Sequence, residues 1–527
     1  MSCRMHSLAT ALTASMLLWP SAIAAAPHAR QATNVGSGCK AIPGDSAWPR
    51  EQVWDGLNQT IGGRLVATVP QAAVCHPEGY ADVKTNEAEC AVLANDWNLP
   101  KTFFLGKSTG KGGLSLWTHN LKSIDIISYT STTYTGPAVR VGAGVTGGEL
   151  LLRASEAGYR VVSGDCPTVG VAGGYSAGGG HGLLNGAYGM AADNVLEWEV
   201  VTADGRHLTA SPSENADLYW ALTGGGAGTY AVVLSMTARL HQDGPVGAAT
   251  LSFNSTASPD NTSYVAAINA WWEFLPSLID AGASPAFNFL AGSFLVYNTT
   301  APGKTADEMA TLFTPYLGKL DSLGVPYTFA TYVAPSYIEH YNVTNGPLPY
   351  GPYQASELFN SRIIPRAITS GPEDLTAAML KAMDLDPAAD WQFGCMGLNV
   401  NATRIQHPDN AVVPYWRDAV AICLEFSLYD WTVPETTMLS RRQDLAKTIH
   451  PMIEAATPGS GAYLNEADPL VYPQGDVAKW QTAFYGTNYP RLREIKDSWD
   501  PEGIFYAFTA VGSEDWVEDT EGRLCKA

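Results

Sequence analysis

The nineteen residues from Gly164 to Gly182 constrain this chain more than any other stretch. The run Gly164-Asp165-Cys166-Pro167-Thr168-Val169-Gly170-Val171-Ala172-Gly173-Gly174-Tyr175-Ser176-Ala177-Gly178-Gly179-Gly180-His181-Gly182 places eight glycines around a single cysteine. Glycine at this density leaves backbone N–H groups uncovered and lets the main chain approach a ligand closely, which suits a pyrophosphate and a planar ring system. No Walker lysine follows, which speaks against a nucleoside triphosphate loop. The plainer reading is a glycine-rich loop carrying a disulfide cysteine, and composition alone does not choose between the two.

The first 26 residues carry a secretory pattern: Arg4 and His6, an apolar stretch from Leu8 to Trp19, then small residues from Ser21 to Ala26. No later stretch reaches the roughly 18 uninterrupted apolar residues of a membrane span. An exported, soluble, monomeric protein is expected. Asn-x-Ser/Thr sequons at Asn58, Asn254, Asn261, Asn298, Asn342 and Asn401 fit a secreted glycoprotein. Most lie at or beyond position 254, so the C-terminal half is expected to present the glycosylated surface. A formal charge of −20 would be repelled by nucleic acid and by an anionic membrane, which leaves a small neutral molecule as the expected partner.

Removing the signal discards Cys3 and leaves an odd set: Cys39, Cys75, Cys90, Cys166, Cys395, Cys423 and Cys525. An unpaired cysteine in an oxidising compartment calls for a role. Cys395 and Cys423 are expected to pair, stabilising by roughly 3 kcal/mol in a chain-entropy model. The other pairings stay open.

A mature chain of this length exceeds one ordinary core and predicts two lobes. From Phe103 to about His241, short Val/Ile-rich strands alternate with glycine turns and one helix, an α+β pattern. Beyond Gly244 the texture changes to aromatic-rich helices at Tyr264 to Leu278 and Glu373 to Met383, with a strand at Ala286 to Val296. Trp271-Trp272, Tyr350 to Tyr353 and Trp391 are more readily core than pocket on burial tendencies.

The Cys166 run resembles the flavin segment of the berberine bridge enzyme-like oxidases, in the vanillyl-alcohol oxidase/p-cresol methylhydroxylase superfamily. So do Tyr188 to Leu196, Leu218 to Val233, the Ala462-Tyr463-Leu464-Asn465-Glu466-Ala467-Asp468 segment, Phe484 to Lys496 and Trp499 to Phe505. Asp45, Trp48-Pro49 and Leu57 add a likeness to secreted fungal isoamyl alcohol oxidase-like proteins and related oxidases of secondary metabolism. The resemblance implies an FAD-binding domain over 27–245, a substrate domain with an antiparallel sheet and helices over 246–455, a segment over 456–512 packing back on the flavin lobe, and a tail over 513–527. It implies covalent attachment of Cys166 to flavin C6, which makes Cys166 the odd cysteine. Around the cofactor it places Thr168, Val169, Gly170, Gly173, Gly174, Gly178, Gly179, Gly180, His181, Gly182, Gly228 and Val233, with Ser108, Thr109 and Gly110 on a second loop. Where the family usually has glycine this chain has Ala231, a change expected to crowd the dinucleotide.

Two features run against a simple assignment. Gly142, Gly144 and Gly147 form a GxGxxG after a strand and before a helix-like stretch to Ala157, with a strand ending near Asp165, a Rossmann pattern that stands as the alternative fold. The family's usual histidine, which forms a second flavin bond ahead of a stretch like Leu105 to Gly110, is absent: Trp97 to Phe104 contains none, and His76 and His119 lie in other contexts. Several dozen residues of the flavin lobe are missing around 100–104. Losing buried strands exposes sheet edge and core, so a missed exon is the favoured explanation. A genuinely shortened protein with cysteinyl attachment alone, or one that has lost flavin, is the other.

The chemistry implied is hydride transfer from a substrate C–H to flavin N5, with a base removing the hydroxyl proton. Tyr463 is the expected base and Asn465 its partner, with Glu466 nearby. A tyrosine needs help to act as a base at neutral pH. Val169 matches a position where oxygen-reactive family members carry valine, implying an oxidase that reduces O2 to H2O2. The other function class is a non-catalytic relative that binds a sugar or small molecule.

Overall fold

The computed structural model describes residues 38–76, 83–96, 110–349, 351, 357–430 and 432–527. The chain divides into two units, 38–65 with 518–525, and 66–517 with 526–527. In the smaller unit Cys39 and Cys525 form a disulfide, and Arg523 grips Asp45 through Nε and Nη2 at 2.9 and 2.5 Å. A helix spans Glu51–Thr60.

The larger unit is α+β and holds two large antiparallel sheets and, among the described residues, a two-stranded ladder of Tyr159–Arg160 with His241–Gln242. The first is built from β1 (Ile124–Thr130), β2 (Thr135–Gly142), β3 (Val195–Thr202), β4 (His207–Ala210) and β5 (Ala231–Arg239), in the order β1-β2-β5-β3-β4. Alternation in β3 from Leu196 onward buries Leu196, Trp198 and Val200 and turns Glu197 and Glu199 outward beside Arg140, Ser235 and Thr237. Every ladder here is antiparallel, so the GxGxxG opens no Rossmann crossover. Its glycines serve close packing instead. A Cβ at Gly142 or Gly144 would strike the backbone carbonyls of Leu121 and His119, and one at Gly147 would lie 2.7 Å from Ser163 Oγ. The helix that follows, α1 (Gly147–Glu156), carries a capping box between Thr146 and Glu149. The strand expected to end near Asp165 is only Tyr159–Arg160.

The second sheet comprises β6 (Val246–Asn254), β7 (Ser284–Leu290), β8 (Ser293–Pro302), β9 (Thr328–Ala334), β10 (Glu357–Pro365), β11 (Gln392–Gly397) and β12 (Ala419–Leu428), in the order β9-β6-β8-β7-β11-β12-β10. The single strand expected at Ala286 to Val296 is the β7–β8 hairpin, because Gly292 at φ +67° supplies the turn. Helix α2 (Asn261–Asp280), capped by the Asp260 carboxylate on Ser263 N–H, extends beyond the predicted stretch at both ends. It lays Trp271 and Trp272 against Phe287 and Phe289, and both tryptophans are fully buried. The helix over Glu373–Met383 has the predicted bounds. Cys395 and Cys423, facing partners on β11 and β12, form a disulfide, as do Cys75 and Cys90; Cys166 is free.

One sequon is corrected. Asn298 is fully buried on β8, where its side-chain amide faces His340 and Thr344, so a folded chain cannot carry a glycan there. Among the described residues no helix is long and apolar enough to cross a membrane. Ser108, Thr109, Trp97 to Phe104, Tyr350 and Tyr353 lie outside the described residues.

Candidate active site

The segment 164–182 is anchored from below by α1 and its preceding loop. Val169 N–H bonds Cys166 O, Gly147 N–H bonds Val169 O, and Val171 N–H bonds Val145 O. These bonds fold the chain after Cys166 into a tight shelf, with Thr168 and Val169 half-buried beside the cysteine. From 171 the chain turns once, and Ser176 Oγ–H closes the turn onto Val171 O at 2.8 Å.

The glycines divide by what surrounds them. Beside Gly173 and Gly228 a Cβ would meet nothing within 4 Å; beside Gly170 and Gly174 the nearest atoms are 3.9 and 4.0 Å away. These four line open space, and the Ala227 Cβ that neighbours Gly174 puts the Gly228 loop against the same shelf. Gly164, Gly178, Gly180 and Gly182 are packed instead: their Cβ atoms would press on Tyr175, Asn465, Ala191 and the Ser163 carbonyl. Gly179, at φ +120°, lies between Met190 and Tyr463. The first group fits a ligand pressed onto the main chain, and the second lets the shelf pack on its support.

The remaining expected contacts are less central. Val233 is half-buried in β5, which packs on the 171–175 turn, and Ala231 is buried at the start of that strand opposite Thr202. Gly110 accepts a local turn bond from Gly113 N–H, and no bond joins it to the shelf.

The 461–466 segment meets the shelf from the other side. It is not a strand: 461–463 carry no regular structure and 464–466 turn, with the segment tied to β10 by Ile363 N–H on Gly461 O and by Tyr463 N–H on Ser361 Oγ. This holds the Tyr463 side chain, 3 % exposed, over Gly179 and Gly180. Tyr463 Oη accepts Gly180 N–H at 3.2 Å and Asn465 Nδ2–H at 2.7 Å, and Asn465 also donates to Gly174 O at 2.8 Å. Among the described residues the phenol's own proton has only Tyr175 O, at 3.5 Å. Burial and the Glu466 carboxylate push Tyr463 above the ordinary tyrosine pKa, while the Asn465 and Gly180 bonds pull it down.

Around this oxygen lies a cluster that the glycine pattern does not announce. His181 Nε2 meets Glu466 Oε1 at 2.8 Å, and the His181 ring packs edge-on against Tyr463 at 5.2 Å and stacks near Trp416 at 6.0 Å. Burial opposes a charge on His181, but Glu466, and after it Asp165, hold its pKa above the ordinary value. Burial pushes the Asp165 carboxyl up to about 6, with His181 opposing and Glu466 adding. The Cys166 thiol is pushed up to about 12, by burial first and then by Asp165, Glu466 and Glu357. Asp165 Oδ1, His181 Nδ1 and Glu466 Oε2 are buried without a hydrogen-bond partner.

An open glycine shelf with a thiol at its head and a phenol oxygen above it fits a flavin nucleotide, which Cys166, the open glycines and Tyr463 would hold. Comparisons with known proteins agree on the cofactor. A profile of the FAD binding domain matches residues 101–211, and a profile described as berberine and berberine like matches 462–512. FAD-linked oxidoreductase orf1 of Neocamarosporium betae is 57 % identical over 589 residues, covering 99 % of this chain and 100 % of that protein. Because the chain has 527 residues, at least 62 positions of that alignment have no counterpart in it. The VAO-type flavoprotein oxidase VAO615 of Thermothelomyces thermophilus is 40 % identical over 94 % of this chain and 96 % of its own length. The crystal structure of VAO-type flavoprotein MtVAO615 from Myceliophthora thermophila C1 superimposes with a TM-score of 0.86 at 39 % identity, over 93 % of this chain and 100 % of that one. Glucooligosaccharide oxidase from Acremonium strictum, at 20 % identity, shares the fold with a TM-score of 0.61 over 75 % of this chain and 81 % of that one.

Proposed function

The chain belongs to the berberine bridge enzyme-like FAD-linked oxidoreductases of the VAO type, and on that premise we propose that it is a secreted oxidase of a small alcohol, sugar or secondary metabolite. As an FAD-dependent enzyme it is not a mere binding protein, and the non-catalytic alternative drops out. FAD supplies a two-electron acceptor for the hydride of the substrate carbinol, and the electrons pass to O2 to give H2O2. That VAO615 is named an oxidase, together with Val169 beside Cys166, supports oxygen as the acceptor.

The rest of the chemistry falls to side chains of this chain. Tyr463 Oη takes the substrate hydroxyl proton. The observation that carries this role is its bonding: two N–H donors point at the oxygen, and among the described residues its own proton has no acceptor nearer than 3.5 Å. That is the arrangement an ionised phenol needs, since hydrogen bonds to the charged form favour it. Asn465 spans Tyr463 and Gly174 O, so it fixes the base relative to the shelf. Cys166 would hold the ring, through a thioether whose formation takes two electrons from the thiol and flavin to O2, and Gly170, Gly173, Gly174 and Gly228 leave room for the cofactor against bare backbone.

The test is the absorbance spectrum of the purified protein before and after denaturation. We expect flavin to stay with the denatured chain and to be released in Cys166→Ala, and peroxide to form when the holoprotein is given an alcohol panel. A folded protein that takes up no FAD would overturn the proposal.

A further inference from the structure

We propose that His181, anchored by Glu466, is the counter-cation that allows Tyr463 to work as a base; the inference rests on the assignment of Tyr463 above. Glu466 stands on the same turn as Tyr463, its N–H bonded to Tyr463 O at 2.9 Å, and its carboxylate meets the imidazole that packs on the phenol at 5.2 Å, close enough to oppose a charge on Tyr463. A negative phenol oxygen next to a buried carboxylate is repelled, and low dielectric strengthens the repulsion. Something must cancel the Glu466 charge for the base to exist.

The titratable groups facing this cluster are Asp165 and Cys166 on the shelf, Tyr175 on the turn, His181 after the triple glycine, Glu357 on β10 and Glu466 itself, with the neutral phenols of Tyr297, Tyr337 and Tyr341 around Asp165. Among the described residues no lysine or arginine hydrogen-bonds or pairs with Asp165, Glu466 or Tyr463. His181 is the cation of the group. It contacts both partners, Glu466 through Nε2 at 2.8 Å and Tyr463 in an edge-on ring contact at 5.2 Å, and Trp416 packs on both rings, 6.0 Å from the imidazole and 5.7 Å from the phenol. Its charge is favoured where burial alone would remove it, because Glu466 and Asp165 flank it. His181 is therefore a positioning residue whose effect on Tyr463 is electrostatic, and its signature is a change of sign rather than a loss.

The experiment follows the visible flavin spectrum and the anaerobic rate of flavin reduction against pH in the holoenzyme, with His181→Gln, Glu466→Gln, the double variant and Tyr463→Phe. In H181Q an uncancelled carboxylate remains, and the midpoint of the pH transition is expected to rise by a unit or more. In E466Q an uncancelled imidazolium remains beside Asp165, and the midpoint is expected to fall. The double variant returns to within about half a unit of the parent, as charge cancellation requires. Single variants that shift in the same direction, or not at all, overturn the inference and leave a packing role. A transition that persists unchanged in Y463F overturns the base assignment itself. If H181Q does not retain FAD, E466Q alone decides: a lower midpoint supports the counter-cation, and an unchanged or higher one rejects it.

Discussion

Two stretches of the larger unit are built on opposite terms. Between 164 and 182 main chain and side chains are both engaged: the shelf bonds to the loop before α1, Gly224 and Gly226 N–H groups bond Ala177 O, and Tyr463 and Asn465 close it from above. Among the described residues between 66 and 121 the chain is tied at points, by the Cys75–Cys90 disulfide and by Gly144 N–H on Leu121 O, but a set of apolar side chains is not covered. Val66, Val92, Leu114, Leu116 and Trp117 are each 60 % exposed or more. Single exposed apolar residues are ordinary, but a concentration in one stretch marks a surface that expects a cover. This stretch flanks 97–109, and the FAD binding profile begins at 101. What the contrast teaches is that the shelf and the side chains above it hold one another in place, while the described apolar residues at 114–117 stand exposed.

That contrast can be broken by substitution, with costs that should fall from the first region to the second. Tyr463→Phe removes the proposed proton acceptor and is expected to slow flavin reduction by about 10²- to 10⁴-fold at unchanged flavin content, measured by anaerobic stopped-flow. Gly180→Ala sets a Cβ 2.6 Å from Ala191 Cβ at φ +76° and should cost about 2–4 kcal/mol in a denaturant titration. Gly174→Ala, with only Ala227 Cβ at 4.0 Å, should keep the fold and weaken FAD retention instead. Equal losses of stability in the two alanine variants would erase the distinction drawn between packed and open glycines.

Asp165→Asn sharpens the comparison through pH. Asp165 binds its proton more tightly in the folded chain than an ordinary carboxyl does, so it favours folding below about pH 4 and penalises it as pH rises toward 6. The asparagine variant is then expected to be more stable than the parent at pH 8, by about 3 kcal/mol at most, and to lose that advantage near pH 4. A melting-temperature difference that does not vary with pH would refute this. The smallest effect belongs to the second region: replacing Leu114, Leu116 and Trp117 by serine should change stability by under about 0.5 kcal/mol each, while reducing binding of an apolar dye.

The sequence disclosed the shelf because glycine and cysteine carry their reasons locally, and it disclosed Tyr463 and Asn465 through the terminal motif. It hid the division among the glycines, since Gly174 and Gly180 differ only in what lies across from them in space. Glu466 stood within the motif, yet its pairing with His181, 285 residues away, depends on tertiary closure. Asp165 stood in the run itself, but its elevated pKa comes from burial, which a local pattern does not encode. The Rossmann imitation failed for the same reason: Gly142, Gly144 and Gly147 read as a phosphate loop until the antiparallel pairing of β2 with β1 and β5 is known. The hairpin between β7 and β8 was legible in Gly292, which the apolar run around it concealed.

The bond between Cys39 and Cys525 spans 486 positions of sequence. Covalently, almost everything between them is a ring, and a ring survives one cut. A protease that opens any exposed loop of this chain leaves a single body that runs intact under non-reducing electrophoresis and divides in two only when a thiol is added. The two ends behave as one tether, so a load applied at both would pull on a sulfur bridge and leave the sheets that carry the site slack.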